Sequence, residues 1–129
     1  MTLGVSTVNL ANAWLNVLRG TTFTGVSVFV KLHTADPGSA GATAAAAGST
    51  TRPAITWSAA ASGALAMTGT APSWTNGGTS ETLTHISFWD NATAGNFLGS
   101  AALSSSQAWA SGNTYTLSAQ TWSITPLAA

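Results

Sequence analysis

The side chains that could serve as acids, bases or metal ligands are few in this chain. It has two histidines, three carboxylates and no cysteine among 129 residues. His33 and Asp36 are three residues apart, at the predicted end of a strand and start of a turn, where they could share a proton or a metal ion. A stable metal site needs three or four ligands, and the sequence offers no third. We therefore expect Asp36 to cap the turn and His33 to lie on the solvent face of its strand.

A second group, His85, Ser87 and Asp90, contains the residue types of a nucleophilic triad. His85 and Ser87 would share one face of a strand, because strand side chains alternate. A triad, however, needs the histidine between the other two groups and hydrogen-bond donors around an oxyanion. Spacing along one strand provides neither. His85 is instead expected to be a structural histidine that hydrogen-bonds a neighbouring strand or loop.

The carboxylates Glu81 and Asp90 could in principle form the acid pair of a glycosidase. Nine residues of extended strand, at about 3.3 Å each, would separate them by about 30 Å. Such pairs must lie within about 10 Å of each other. The sequence therefore predicts no enzyme, with no catalytic residue, no metal and no cofactor.

Only six residues carry a full charge, and the net charge is zero. A solitary soluble domain has about a quarter of its residues charged, so a surface this neutral would be poorly soluble unless other subunits covered it. No run of Lys or Arg exists to bind nucleic acid or an anionic membrane. No apolar run reaches a membrane span and no secretory signal is evident, which predicts synthesis in a cytoplasm.

The first segment predicts the only good helix, over residues 6–19. Ser6 or Thr7 can cap its start, and Gly20 is placed to end it. Its apolar stripe can either close the chain's own core or pack against other copies around an axis. The interface candidates on this stripe are Leu10, Trp14 and Leu18.

The rest of the chain predicts short strands and turns, typical of an all-β domain. Residues 26–33 alternate, with valines and Leu32 on one side and His33 on the other. Residues 38–51 are almost all Gly, Ala, Ser or Thr, too small to anchor in a core, and predict a surface loop. We expect one domain, 1–129, that is mainly β: an antiparallel β-sandwich or jelly-roll-like barrel with one short N-terminal helix. The further predicted strands are 54–58, 64–68, 73–75, 82–90, 96–103, 114–118 and 121–125.

Six tryptophans are many for this length, and five fall in or beside predicted strands. Most can be core anchors, because aromatic side chains are usually largely buried. The alternative is a stacking platform for sugar rings or a subunit interface. Trp109, in a neighbourhood of Ser, Ala and Gly, is expected at a surface or interface.

Two stretches carry a resemblance to a known group of proteins. The first is 30–38, with Arg52 and Trp57 downstream, and the second is 84–90, followed by 95–99 and Leu103. Together they resemble small structural proteins of tailed bacteriophages and prophages, especially those of actinobacteria, described as tail-fibre-like, minor tail or head-decoration proteins. The resemblance implies an all-β virion component that acts as an oligomer, commonly a trimer, and it brings no catalytic motif or ligand-binding residue.

Composition and resemblance together predict a non-enzymatic structural subunit of a phage virion, made in the host bacterial cytoplasm. It would decorate the capsid or form part of the tail or fibre surface. The expected partners are further copies of the chain, as a homotrimer, and other virion proteins such as the major capsid or tail proteins. The alternative is a carbohydrate-binding module that contacts host glycans, which requires at least two solvent-facing tryptophans.

Overall fold

Nine β-strands, one π-helical turn and one short α-helix make up the fold in the computed structural model, which describes residues 4–124. The mainly β prediction with one short N-terminal helix is confirmed. In chain order the elements are β1 Gly4–Val5, the π-helical turn Thr7–Ala11, α1 Asn12–Val17, β2 Val28–His33, β3 Ala54–Trp57, β4 Ala64–Thr68, β5 Ser73–Thr75, β6 Glu81–Trp89, β7 Phe97–Trp109, β8 Thr114–Thr116 and β9 Thr121–Ser123.

Seven of the strands form one antiparallel sheet in the order β1-β7-β6-β2-β3-β4-β9, and β5 pairs with β8 in a small second sheet. The large sheet is curled. Its two edge strands, β1 and β9, stand at opposite ends of the strand order and yet line the same cavity. The result is a sandwich-like, partly closed barrel. Within the described part of the chain, no helix is long and apolar enough to cross a membrane.

One face of the sheet carries the main core. Residues directly opposite in an antiparallel pair share a face, and here Val30 pairs with Phe88 and Leu32 with Ile86. All four side chains are fully buried. The ring of Trp122 packs edge-on against Phe88, with centroids 4.9 Å apart. Apolar alternation along β2 therefore predicted this face correctly.

The long strand β7 differs from its prediction, which ended at Leu103. In its pairing with β6, Leu83 lies opposite Gln107 and His85 opposite Ala102, so four residues of β7 face one residue of β6. Residues 103–106 therefore form a bulge with three more residues than β6 has opposite them, and this bulge keeps a serine-rich stretch within one strand. This continuation carries Trp109 into the core, where it is 2% exposed. The prediction that Trp109 lies at a surface or interface is wrong.

The helix begins and ends close to its predicted bounds. The Ser6 side chain accepts a hydrogen bond from the Asn9 N–H at 3.3 Å, as an N-cap. At the other end Gly20 has φ of +86°, and the N–H groups of Gly20 and Thr21 donate to the carbonyls of Val17 and Asn16. This is the Schellman arrangement that glycine favours because it lacks a Cβ.

The Ala/Gly-rich segment 38–51 forms no helix and has a single bridge, from Ala45 to His33. The prediction that it could not anchor in the core is wrong at Ala46, which is fully buried and donates its N–H to the Leu32 carbonyl at 3.0 Å. Gly41, with φ of +69°, lies against the ring of Phe97 so closely that a Cβ would overlap it. Small side chains thus let this backbone cover the second face of the sheet.

Candidate functional site

A buried chain of hydrogen bonds connects His33 and Ser87, which are residue types found in nucleophilic triads, with Trp89. We call it the His33 chain. His33 Nε2 lies 2.7 Å from Ser87 Oγ, and His33 Nδ1 lies 2.8 Å from the Thr43 carbonyl oxygen. Since a carbonyl only accepts, Nδ1 donates to Thr43 and Nε2 accepts from the Ser87 hydroxyl. Ser87 Oγ in turn accepts from Trp89 Nε1 at 2.8 Å. Every polar atom of this His33 chain has a partner.

The His33 chain has the nucleophile and base contact of a hydrolase but no access for a substrate. His33 and Ser87 are both 0% exposed, beneath the segment 38–51. Burial is the main cause that lowers the pKa of His33, and the charge of Lys31 adds to it, whereas the hydrogen bond to Thr43 opposes it. His33 is therefore held neutral, and the prediction that it lies on the solvent face is wrong.

The histidine expected to be structural, His85, has a smaller role. It lies directly opposite His33 in the β2–β6 pair and is half-buried. Its Nδ1 is 2.8 Å from Thr84 Oγ1, the residue beside it on the same strand. The histidine bonded to a neighbouring strand and loop is thus His33. The register of β2 against β6 brings His33 next to Ser87, and the spacing of residues along one strand does not predict this contact.

The charged residues serve mainly to hold loops. Glu81 accepts hydrogen bonds from the backbone N–H groups of Ala47 and Gly48 at 3.2 and 2.8 Å, which fastens the segment 38–51. Asp36 accepts from the Gly38 N–H at 2.9 Å, so the predicted turn cap is confirmed. Asp90 accepts from the backbone and side-chain nitrogens of Asn96 at 2.6 and 2.8 Å. Within residues 4–124, no three His, Asp or Glu side chains are grouped to hold a metal.

Arg52 stabilises the turn after β6. Its guanidinium lies 3.7 Å from the centroid of the Trp89 ring, a cation–π contact. The same group donates to the carbonyls of Asn91 and Ala94 at 3.3 and 2.5 Å. Burial lowers the pKa of Arg52, and the nearby charge of Asp90 raises it.

None of the six tryptophans is exposed. Trp74, Trp89 and Trp109 are buried, with at most 8% of their surface accessible. The other three, Trp14, Trp57 and Trp122, are partly buried in one aromatic cluster with neighbouring ring centroids about 6 Å apart. A sugar platform needs flat rings that face solvent, and all six rings are at least partly buried.

The exposed apolar side chains concentrate on the N-terminal helix. Val8 is 78% exposed, Leu15 64% and Leu18 86%. Leu15 and Leu18 are neighbours at i, i+3, and Val8 lies two turns before Leu15. We call Val8, Leu15 and Leu18 the outer helix face.

The structure separates the predicted interface residues. Leu10 is buried at 3% exposure and Trp14 packs at 6.3 Å against Trp122, so both close the chain's own core. Leu18 alone lies on the outer helix face. Sequence reasoning missed Val8 and Leu15, which are 78% and 64% exposed.

An open cavity of about 560 Å³ lies next to the helix, between the edge strands β1 and β9. We call it the edge cavity. No charged residue lines it, and apart from Gln120 its larger side chains are apolar. The residues that form its walls and rim include Val5, Trp14, Leu65, Ala101, Trp122 and Ile124.

Comparison with known proteins identifies a family for this chain. The family model described as podophage GP4 fiber I protein gp80 matches residues 4–125. No curated protein matches the chain. The resemblance to tail-fibre-like phage proteins is therefore confirmed, and the family implies a virion component. Because the match covers nearly the whole sequence, this chain belongs to the podophage GP4 fiber I protein gp80 family.

Proposed function

We propose that this chain is a non-enzymatic structural subunit of a phage tail fibre. The observation that carries the proposal is the family match over residues 4–125. The structure supports it, because the three carboxylates and Arg52 hold loops and turns and the His33 chain is closed to substrates. The name of the family favours a fibre over a capsid decoration.

Self-assembly is the second part of the proposal. The N-terminal helix carries exposed apolar side chains beside the side that faces the core, although Asn12 and Asn16 make another side polar. Here the inner side, with Leu10, faces the core, whereas the outer helix face has no cover within the described chain. Burying one Val or Leu completely contributes about 1.5 to 3 kcal/mol, so three such residues on each copy are a substantial driving force. We propose three copies around an axis, bound in turn to other tail proteins.

The glycan-binding alternative receives no support from the tryptophans. It required at least two solvent-facing rings, and all six rings are partly or fully buried. We therefore do not extend the proposal to a host glycan.

The location is tested by immunogold electron microscopy on phage particles that carry an epitope-tagged copy of the chain. We expect gold on the tail fibres. Gold spread over the capsid would replace the fibre role with capsid decoration, and unlabelled particles with detectable free protein would contradict a virion role.

Sedimentation equilibrium of the purified chain tests the self-assembly. The proposal predicts the mass of a trimer that persists on dilution. A monomer at all concentrations would contradict this part.

A further inference from the structure

One buried polar atom lies beside the His33 chain without a hydrogen-bond partner. It is the hydroxyl oxygen of Ser100, a residue that is 5% exposed. Among the described residues 4–124, no other buried side-chain nitrogen or oxygen is unpaired. Buried polar groups in folded proteins are nearly always hydrogen-bonded, so this exception needs a physical reason.

Strand register places Ser100 next to the centre of the His33 chain. Ser100 of β7 pairs directly with Ser87 of β6. Directly opposite residues of an antiparallel pair point to the same face, with Cβ atoms about 4.5 to 5.5 Å apart. A serine side chain has three staggered positions about its χ1 bond, so rotation can turn the two hydroxyls towards each other.

The hydrogen-bond donors of the His33 chain change when His33 binds a proton. In the neutral form, the Ser87 hydroxyl donates to His33 Nε2 and accepts from Trp89 Nε1. A protonated imidazole has a donor on both nitrogens. Nδ1 still donates to the Thr43 carbonyl, but Ser87 Oγ now has to accept from both His33 and Trp89. The hydroxyl hydrogen of Ser87 then needs a new acceptor.

We propose that Ser100 Oγ is this acceptor, so that the Ser87 hydroxyl turns from His33 to Ser100 when His33 binds a proton. Every group of the protonated chain then has a partner. The segment 38–51 keeps its contact with His33, because the bond to the Thr43 carbonyl is the same in both forms. This property of the fold is independent of the fibre role and of self-assembly.

The charges around His33 set the pH at which the change occurs. Burial, Lys31 on the same strand and His85 directly opposite on β6 all disfavour a positive charge on His33 and lower its pKa. The segment 38–51 and β7 contribute no ionisable side chain. Two carboxylates accept hydrogen bonds from backbone N–H groups of that segment, and they are Asp36 and Glu81. Protonation of the folded chain therefore requires a pH below the ordinary range of histidine.

Titration of the histidines by NMR in the folded full-length chain tests the proposal. Ser100→Ala removes the acceptor, Ser100→Thr keeps a hydroxyl, and Ser104→Ala at the exposed bulge of β7 is the matched control. His85→Gln assigns the remaining signal to His33, because the chain has only two histidines. The imidazole chemical shifts are followed from about pH 8 down to the onset of unfolding, which circular dichroism detects.

We expect half-protonation of His33 in Ser100→Ala to need an about tenfold higher proton concentration than in wild type. The reason is that protonation of this variant leaves the buried Ser87 hydroxyl without an acceptor. Ser100→Thr and Ser104→Ala should titrate like wild type. In urea at about pH 7.5, Ser100→Ala should be at least as stable as wild type, because it removes a hydroxyl that has no partner in the neutral form.

Four results would overturn the inference. His33 could stay neutral until wild type unfolds, which would mean that the folded chain has no protonated form. Equal titration of wild type and Ser100→Ala would show that Ser100 accepts nothing from the His33 chain. If Ser100→Thr titrated like Ser100→Ala, packing at this position and not its hydroxyl would matter. A clear loss of stability in Ser100→Ala at about pH 7.5 would show that the hydroxyl is already bonded in the neutral form.

Discussion

At the residue scale, the chain of hydrogen bonds from Trp89 through Ser87 to His33 and Thr43 connects β6, β2 and the segment 38–51. Buried polar groups are costly unless they are paired. Here the pairing fixes the position of the backbone segment 38–51, whose side chains are mostly too small to hold it by packing. The His33 chain is therefore a structural element of the fold.

Acid should destabilise the protein through His33. The folded state keeps its pKa below the ordinary value by burial, whereas the unfolded chain binds a proton below about pH 6.5. Since the unfolded state binds more protons, the free energy of unfolding should fall as pH drops from 7.5 to 5, by at most about 1.4 kcal/mol per pH unit. Urea unfolding at several pH values measures this. His33→Asn should flatten the slope, and equal slopes would contradict the account.

Replacing Ser87 by Ala should leave two buried nitrogens, on Trp89 and His33, without partners. Each unsatisfied group costs about 1 to 3 kcal/mol, so we expect Ser87→Ala to lower the free energy of unfolding by about 2 to 4 kcal/mol. Ser104→Ala, at the exposed bulge of β7, is the control and should change it by less than about 0.5 kcal/mol. Similar values for both variants would show that the His33 chain contributes little.

Contact between specific side chains was the least predictable feature. Alternation along β6 placed His85 and Ser87 on one face, which the structure confirms. The partner of Ser87 is nevertheless His33, which lies 54 residues away in sequence. Such a contact depends on the register of β2 against β6 and on the segment 38–51 that covers it, and no local sequence pattern predicts either.

At the element scale, the segment 38–51 is fastened at separate points along its length. The Thr43 carbonyl is bound by His33, and the N–H groups of Ala47 and Gly48 are bound by Glu81. Between them Ala46 is buried against the core. A segment of tiny side chains is thus ordered through its backbone, which its composition did not indicate.

Glu81→Gln should loosen one end of this segment. The substitution replaces a charge-assisted acceptor pair by a neutral amide, and such hydrogen bonds are worth about 1.5 to 3 kcal/mol against about 1 for neutral ones. We expect hydrogen exchange at Ala47 and Gly48 to rise about tenfold, with little change in β2. Unchanged exchange at both amides would contradict this role for Glu81.

Strand positions were predicted well and the end of β7 was not. Turn residues and β-branched runs place most strands within two residues of their observed bounds, because these signals are local. The serines at 104–106 looked like the end of a strand, but the bulge keeps them within β7. Trp109 therefore lies in the core instead of at an interface.

At the scale of the whole molecule, the low charge of the chain, the outer helix face and the edge cavity all favour contact with other subunits. Leu15 and Leu18 are exposed, and the edge cavity beside Trp122 is open. Composition predicted that other subunits cover the surface, and in the described part of the fold large apolar side chains are exposed on the helix. Which side of the helix faces outward required the structure, since both sides carry apolar residues.

The outer helix face should matter for assembly and not for folding. Leu15→Ser with Leu18→Ser removes exposed groups, so we expect the thermal unfolding midpoint of the monomer to be almost unchanged. Assembly should be lost, because burying each leucine side chain at an interface contributes about 1.5 to 3 kcal/mol of free energy. Differential scanning fluorimetry at low protein concentration measures the first effect. A large loss of monomer stability would mean that the leucines pack within their own chain.

The most direct test of the central claim is a count of this chain against the major capsid protein in purified virions, by quantitative mass spectrometry. A fibre subunit that assembles as a trimer predicts a small copy number per particle, in a multiple of three and far below that of the capsid protein. A ratio near one copy per capsid subunit, or no copies in the particle, would contradict the fibre account.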